Sequence, residues 1–136
     1  MDKRMQSRVQ DLDNAMDMLG FYAERCEEIE EGRLRASAEN CLASAINAAM
    51  DIGEWILRSE SGSEEATHKA TVLRLADCGV LGRDFAQKLS RETGFWDLVL
   101  YKRSRLDAKD THDYLKNNLD DFRKFADELK DHLKGR

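Results

Sequence analysis

Residues that could bind nucleic acid are concentrated between positions 96 and 105. Trp96 and Tyr101 lie before a basic run that contains Lys102, Arg103 and Arg105, and Tyr101 is directly adjacent to it. Cations pair with phosphates and aromatic rings stack on unpaired bases, so this combination is typical of sites for single-stranded RNA or a nucleotide. The same residues could instead support the fold, with the rings in a core and the cations at the end of a helix.

A second feature that could do chemistry is the pair Glu65 and His68, which has the three-residue spacing of metal ligands on a helix. A dinuclear site in a helical bundle requires two such pairs and further carboxylates, and the sequence has only this pair at that spacing. It also lacks a glycine-rich phosphate loop and a Cys-x-x-Cys pair. We therefore predict no metal site and no cofactor.

An acidic run offers a different kind of surface. Five glutamates and one arginine lie between Glu24 and Glu31. The simplest interpretation is a solvated helix face, although negative charge near the carboxyl end of a helix opposes the helix dipole. The alternative is a docking surface for a basic partner.

The elements that must position these residues are predicted to be helices, because apolar residues recur at steps of three or four through most of the chain. We expect a first helix from about Met5 to Ile29 that stops at Gly32, a second from about Leu34 to Arg58, a short one ending at Gly79, a fourth from Arg83 through Tyr101, and a last from Asp107 to Gly135. With 136 residues, 41% of them hydrophobic, these helices are predicted to form a single domain over residues 1–136. The expected fold class is all-α, an antiparallel bundle of four or five helices.

The composition also indicates a compartment. No apolar run is long enough to cross a membrane, and the first residues lack the apolar core of a signal peptide. The three cysteines are an odd number, which we interpret as reduced thiols in the cytoplasm. The net charge of −5 argues against a dedicated duplex-DNA-binding protein but is compatible with a small basic site.

Three sequence features occur in a characteristic order. They are the segment 72–81, the pair Gly94-Phe95 followed by an apolar block, and a long amphipathic helix that opens at Asp107 and includes residues 119–122. This order resembles the HepT-like branch of the HEPN helical-bundle family. The resemblance implies a homodimer that acts as a metal-independent ribonuclease toxin in a prokaryotic toxin–antitoxin pair. The implied partner is a small nucleotidyltransferase of the MntA type.

The motif that serves cleavage in that family is altered in this chain. It reads Gly-Phe-Arg-Asn, three residues, His, one residue, Tyr; the arginine and histidine serve RNA cleavage, and the partner attaches adenylate to the tyrosine. Here the first two positions match, but Trp96, Asp97, Tyr101 and Arg103 stand at the other four. Tyrosine, with an ordinary pKa of about 10, transfers protons poorly near neutral pH. The adenylation switch cannot be transferred either, because Arg103 occupies the acceptor position.

We therefore predict a homodimeric HepT-like protein that lacks the usual nuclease chemistry and acts by binding. The expected ligands are a nucleotidyltransferase-like partner, single-stranded RNA or a nucleotide, held in the dimer cleft by Trp96, Tyr101, Lys102, Arg103 and Arg105. One alternative is an active ribonuclease with a rearranged site in which Asp97 and Arg103 replace the usual pair. Another is a purely structural interaction protein that uses the acidic run.

Overall fold

The computed structural model describes residues 2–135, and within that range every regular element is a helix. The bounds are α1 Lys3–Ala23, α2 Cys26–Glu30, α3 Arg35–Ser61, α4 His68–Asp77, α5 Arg83–Ser90, α6 Thr93–Tyr101, α7 Ala108–Asn117 and α8 Leu119–Lys134, with a 3₁₀ turn at Arg103–Arg105 between α6 and α7. The predicted all-α class is confirmed.

Helices α1 and α3 form the largest contact between two elements. The Asp2 carboxylate caps α1 by accepting a hydrogen bond of 2.8 Å from the Met5 N–H. Buried side chains then follow the predicted stripe, with Leu12 and Leu19 fully enclosed. On α3, fully buried alanines such as Ala45 and Ala49 let neighbouring helices approach closely. The predicted apolar faces of the first two helices are therefore the faces that the core uses.

The α3 helix also approaches α4 closely at Gly53. A Cβ atom added there would lie 3.1 Å from Leu75 Cδ1, which is tighter than ordinary van der Waals contact. A hydrogen atom at this position therefore allows α4 to pack directly against the middle of α3. This contact fixes the helix that carries one wall of the site described below.

The chain contains eight α-helices in residues 2–135, where we predicted four or five, because three predicted helices are interrupted. Arg25, with φ −124° and ψ 34°, leaves the helical region and separates α1 from α2. Arg91 and Glu92 donate their N–H groups to carbonyls three residues back, which tightens the turn between α5 and α6. Asn118, with φ −122° and ψ −6°, separates α7 from α8.

The predicted helix ends at Gly79 and Asp107 are confirmed. Gly79 has φ 78°, and after it the Val80 N–H donates to the Leu75 carbonyl at 3.0 Å. Asp107 caps α7 in a reciprocal arrangement: its carboxylate accepts from the Asp110 N–H at 2.8 Å, and the Asp110 carboxylate accepts from the Asp107 N–H at 3.1 Å. Short-range capping signals therefore fix these ends.

Among residues 2–135, no helix combines the length and the hydrophobicity needed to span a membrane.

Candidate nucleic-acid interface

A surface groove of about 440 Å³ lies between the start of α4 and the second half of α6. We call it the α4–α6 groove. Its lining residues are Ala66, Thr67, His68, Gly94, Asp97, Leu98, Tyr101, Lys102 and Arg105. It therefore contains three of the five residues predicted to bind RNA or a nucleotide, together with a histidine that the sequence analysis did not assign to this site.

Helix α6 divides its residues between the core and this groove. Trp96 and Val99, three positions apart, are fully buried, whereas Asp97 and Tyr101 are exposed. Side chains advance by about 100° per residue, so the two sets occupy different faces of the helix. The helix ends at Lys102, whose φ of −141° and ψ of 45° are not helical, and the 3₁₀ turn then brings Arg105 back to the groove.

His68 forms one wall of the groove from α4. Thr67 caps this helix by accepting a hydrogen bond of 3.0 Å from the Ala70 N–H, which makes His68 its first residue. The imidazole Nδ1 lies 2.9 Å from Asp97 Oδ1 on α6. The His68 ring also stacks on Tyr101, with centroids 6.2 Å apart and planes inclined by 21°. The groove therefore holds a histidine that contacts both a carboxylate and an aromatic ring.

The electrostatics of the groove favour a bound anion. The side chains of Lys102 and Arg105 are exposed, and neither has a carboxylate oxygen within 4.0 Å among the ion pairs of residues 2–135. The start of α4 adds backbone N–H groups and the positive end of a helix dipole. Asp97 offsets part of this charge, but it is engaged by His68. A phosphate could thus contact two cations that have no competing carboxylate partner.

Tyr101 is the aromatic residue that can stack on a base. Its side chain is 69% exposed, an unusual value for a large aromatic residue. His68 lies beside one side of the ring, and the rest of the ring is open to a base that stacks on it.

The prediction that Trp96 binds RNA is wrong. Trp96 is fully buried, and its Nε1–H donates a hydrogen bond of 2.9 Å to the Tyr114 hydroxyl. Its ring packs against Phe122 and Phe125, with centroids 5.6 and 5.7 Å away. The indole is therefore a core residue that joins α6 to α7 and α8, the structural alternative considered from the sequence.

Arg103 also faces away from the groove lining. Its Nε donates to the Val99 carbonyl at 3.1 Å, and its Nη1 donates to Asn40 Oδ1 on α3. The guanidinium therefore caps the end of α6 and ties it to α3. Asp97 instead contacts α4 through His68, so the structure does not bring Arg103 and Asp97 together as the replacement pair.

A buried carboxylate lies on the other side of α6. Both Glu92 oxygens are buried without a hydrogen bond of normal geometry, close to Asp121, Tyr114 and Asn118. Burial, followed by the neighbouring Asp121 carboxylate, raises the pKa of Glu92 to about 8. Burial likewise raises the pKa of Tyr114 well above its ordinary value. No pattern in the sequence indicates this cluster, because Glu92 lies in the turn before α6 whereas Tyr114 and Asp121 lie on α7 and α8.

The spaced pair Glu65 and His68 and the thiol of Cys41 each have partners within the protein. Glu65 lies 3.9 Å from Arg74 Nε, whereas His68 is bound to Asp97, so the two members of the spaced pair contact different residues. Among the described residues, no three histidine, cysteine or acidic side chains converge as metal ligands. The Cys41 thiol donates to the Ala15 carbonyl at 3.3 Å, and burial raises its pKa to about 11, so it is a poor nucleophile.

Comparison with known proteins places this site in a family context. The chain is similar to a tri-AMPylated HEPN toxin of Shewanella oneidensis in complex with MNT antitoxin, with a TM-score of 0.78, 16% identity, and coverage of 96% of this chain and 99% of that chain. It is also similar to a toxin–antitoxin with AMP-PNP, with a TM-score of 0.67, 13% identity, and coverage of 95% and 99%. A mutant of the MntA–HpeT toxin–antitoxin gives a TM-score of 0.65, 16% identity, and coverage of 88% and 98%.

These structural likenesses, at such low identity, show the shared fold. No curated protein matches the chain at the level of sequence. The family of HepT-like ribonucleases, by contrast, matches residues 12–129, which is most of the chain and includes both walls of the α4–α6 groove. The resemblance inferred from the order of sequence motifs is thereby confirmed, and the chain belongs to the HepT-like ribonuclease family.

Proposed function

We propose that this protein is the HepT-like member of a toxin–antitoxin pair and that it binds single-stranded RNA in the α4–α6 groove. The observation that carries the proposal is the juxtaposition of exposed Tyr101 with Lys102 and Arg105 in one groove. The ring offers a stacking surface for a base, and the two cations offer contacts to phosphates.

The altered motif argues against cleavage by the arginine and histidine that are usual in the family. The positions of the motif arginine and histidine hold Trp96 and Tyr101. Trp96 is enclosed in the core and cannot stabilise charge on a phosphate. A phenol is also a poorer general base than an imidazole as a residue type. The usual pair therefore has no direct replacement at its own positions.

The proposed partners are a second copy of this chain and a nucleotidyltransferase of the MntA type. The similar structures include toxins in complex with MNT or MntA antitoxins. A homodimer would bring two α4–α6 grooves into one cleft, which would lengthen the track available to an RNA strand. The three free thiols fit action in the cytoplasm.

The test is the salt dependence of RNA binding. A labelled single-stranded RNA of roughly ten nucleotides should bind the wild-type protein, and two phosphate contacts predict about a sevenfold loss of affinity between about 50 and 200 mM salt. Replacing Lys102 and Arg105 by alanine together should remove most of the binding and most of the salt dependence. Fluorescence anisotropy measures both quantities.

A charge-matched variant separates a local site from net charge. Arg33 and Lys109 are 70% and 71% exposed and lie outside the groove, so replacing both by alanine changes the net charge by the same amount. This control should bind RNA like the wild type. Equal losses in the two double variants, or no binding by the wild type at low salt, would contradict the proposal.

A further inference from the structure

His68 has the geometry of an oriented proton-transfer group rather than that of a solvated surface histidine. Its side chain is only 15% exposed, and Nδ1 is held by Asp97 Oδ1 at 2.9 Å. A neutral imidazole whose Nδ1–H donates to a carboxylate presents Nε2 as a base. The Tyr101 ring lies nearly parallel to the imidazole, with planes inclined by 21°, so His68 has one neighbour at Nδ1 and another beside its ring.

His68 and Asp97 lie in the same groove as the residues proposed to contact RNA. Asp97, Tyr101, Lys102 and Arg105 all line the groove into which His68 projects. A strand held by stacking on Tyr101 and by phosphate contacts to Lys102 and Arg105 would therefore place its ribose and phosphate beside the imidazole. The histidine comes from α4, 29 residues away from Asp97 in the sequence.

We propose that His68, oriented by Asp97, is the general base of a metal-independent RNA cleavage in the α4–α6 groove. This inference rests on the proposed function, because it requires RNA to occupy the groove. It assigns the catalytic residue to α4, whereas the family motif that is altered in this chain lies entirely on the segment that begins at Gly94.

The reaction balances with RNA and water alone. His68 Nε2 accepts the proton of a ribose 2′-hydroxyl, and the 2′-oxygen attacks the adjacent phosphorus. A new bond forms between O2′ and phosphorus as the bond between phosphorus and O5′ breaks, which leaves a 2′,3′-cyclic phosphate. The departing O5′ takes a proton from solvent water, and His68 returns its proton to solvent. Lys102 and Arg105 would stabilise the charge on the phosphorane.

Two carboxylates on different helices lie near the imidazole. Asp97 faces it from α6, and Glu54 on α3 is close enough to interact with it electrostatically. Burial of Glu54 raises the pKa of that carboxyl, with a further rise from Asp51 and opposing effects from His68 and Arg58. Asp97→Asn should lower the rate of cleavage, because the carboxylate that orients the imidazole through Nδ1 is then replaced by a neutral amide.

The experiment compares cleavage and binding with the same RNA. The full-length protein is incubated in the presence of EDTA with an end-labelled single-stranded RNA and with a copy that carries 2′-deoxyribose throughout. The RNA should be cut to fragments ending in 2′,3′-cyclic phosphate, and the deoxy copy should remain intact. At saturating RNA, His68→Ala should lower the rate at least about a hundredfold, the usual contribution of a general base.

Added imidazole provides a readout that a structural role would not produce, because it should restore part of the rate of His68→Ala at a pH where imidazole is neutral. Asp97→Asn tests the pair without disturbing the core, since the Asp97 side chain is 53% exposed. Wild-type protein that binds RNA but does not cut it would overturn the catalytic role of His68 and leave the proposed function standing. Undiminished cleavage by His68→Ala or by Asp97→Asn would also overturn it. Absence of RNA binding would instead contradict the proposed function.

Discussion

Two aromatic residues on α6 show what the sequence could and could not predict at the scale of single residues. Trp96 and Tyr101 were predicted to act together, yet one is fully buried and the other is 69% exposed. Five residues advance a helix by about 500°, so the two side chains point about 140° apart. Residue type indicated which groups could stack on a base, but the packing of α6 against α7 and α8 decided which of them reaches solvent.

The buried hydrogen bond between Trp96 and Tyr114 gives the first prediction at this scale. Tyr114→Phe would leave the Trp96 Nε1–H enclosed without its acceptor, so we expect the free energy of unfolding to fall by about 1–3 kcal/mol. Urea denaturation measures the change. Tyr101→Phe removes the same atom from an exposed ring and should change stability by less than about 0.5 kcal/mol. Equal effects of the two variants would contradict the assignment of Trp96 to the core.

His68 is the residue that sequence reasoning placed in the wrong context. It was considered only with Glu65, because the two share a spacing typical of metal ligands. Its partners in the structure are Asp97 and Tyr101, which lie on a different helix. Since contacts between residues about thirty positions apart depend on how helices pack, periodicity within one helix carries no signal for them.

At the scale of elements, capping residues in the sequence predicted where helices begin and end, but apolar periodicity did not predict where they are interrupted. The glycine after α4 and the reciprocal caps at Asp107 and Asp110 depend on a few neighbouring residues, and the structure has both. The breaks at Arg25 and Asn118 occur inside stretches whose apolar periodicity continues across them. A break of this kind changes the direction of the following helix, so that residues such as Ile29 are buried. The direction that buries them depends on where the other helices lie.

The turn between α5 and α6 carries a prediction about pH. Glu92 lies in this turn, and its pKa is raised from the ordinary 4.5 to about 8 by burial and by Asp121. The folded state therefore favours the protonated carboxyl, and its contribution to stability is complete below about pH 4.5 and is lost as the pH rises through 8. Glu92→Gln cannot ionise, so its stability relative to the wild type should increase with pH.

The size of this effect is moderated by partial access to solvent. We expect the advantage of Glu92→Gln to grow by roughly 1–3 kcal/mol between about pH 5 and pH 9, less than the full displacement of the pKa would give. Thermal unfolding of both proteins across this range measures it. An advantage that is independent of pH, or that is largest at low pH, would show that Glu92 is ionised in the folded protein.

At the scale of the whole molecule, average charge and local charge have opposite signs. The chain carries a net charge of −5, yet Lys102 and Arg105 stand in one groove beside the positive end of α4. Overall repulsion of phosphates should weaken non-specific binding and confine RNA to this groove. The sequence alone located the basic run and the family, but the second wall of the groove became visible only with the fold.

The most direct test of the central claim is to locate bound RNA on the protein by photo-crosslinking. Single-stranded RNA containing 4-thiouridine is irradiated with the wild-type protein, and the crosslinked peptides are identified by mass spectrometry. We predict crosslinks in residues 66–68 and 94–105, with Tyr101 prominent, and their loss in the double alanine variant of Lys102 and Arg105. Crosslinks confined to other surfaces, such as α1 or α8, would contradict the account.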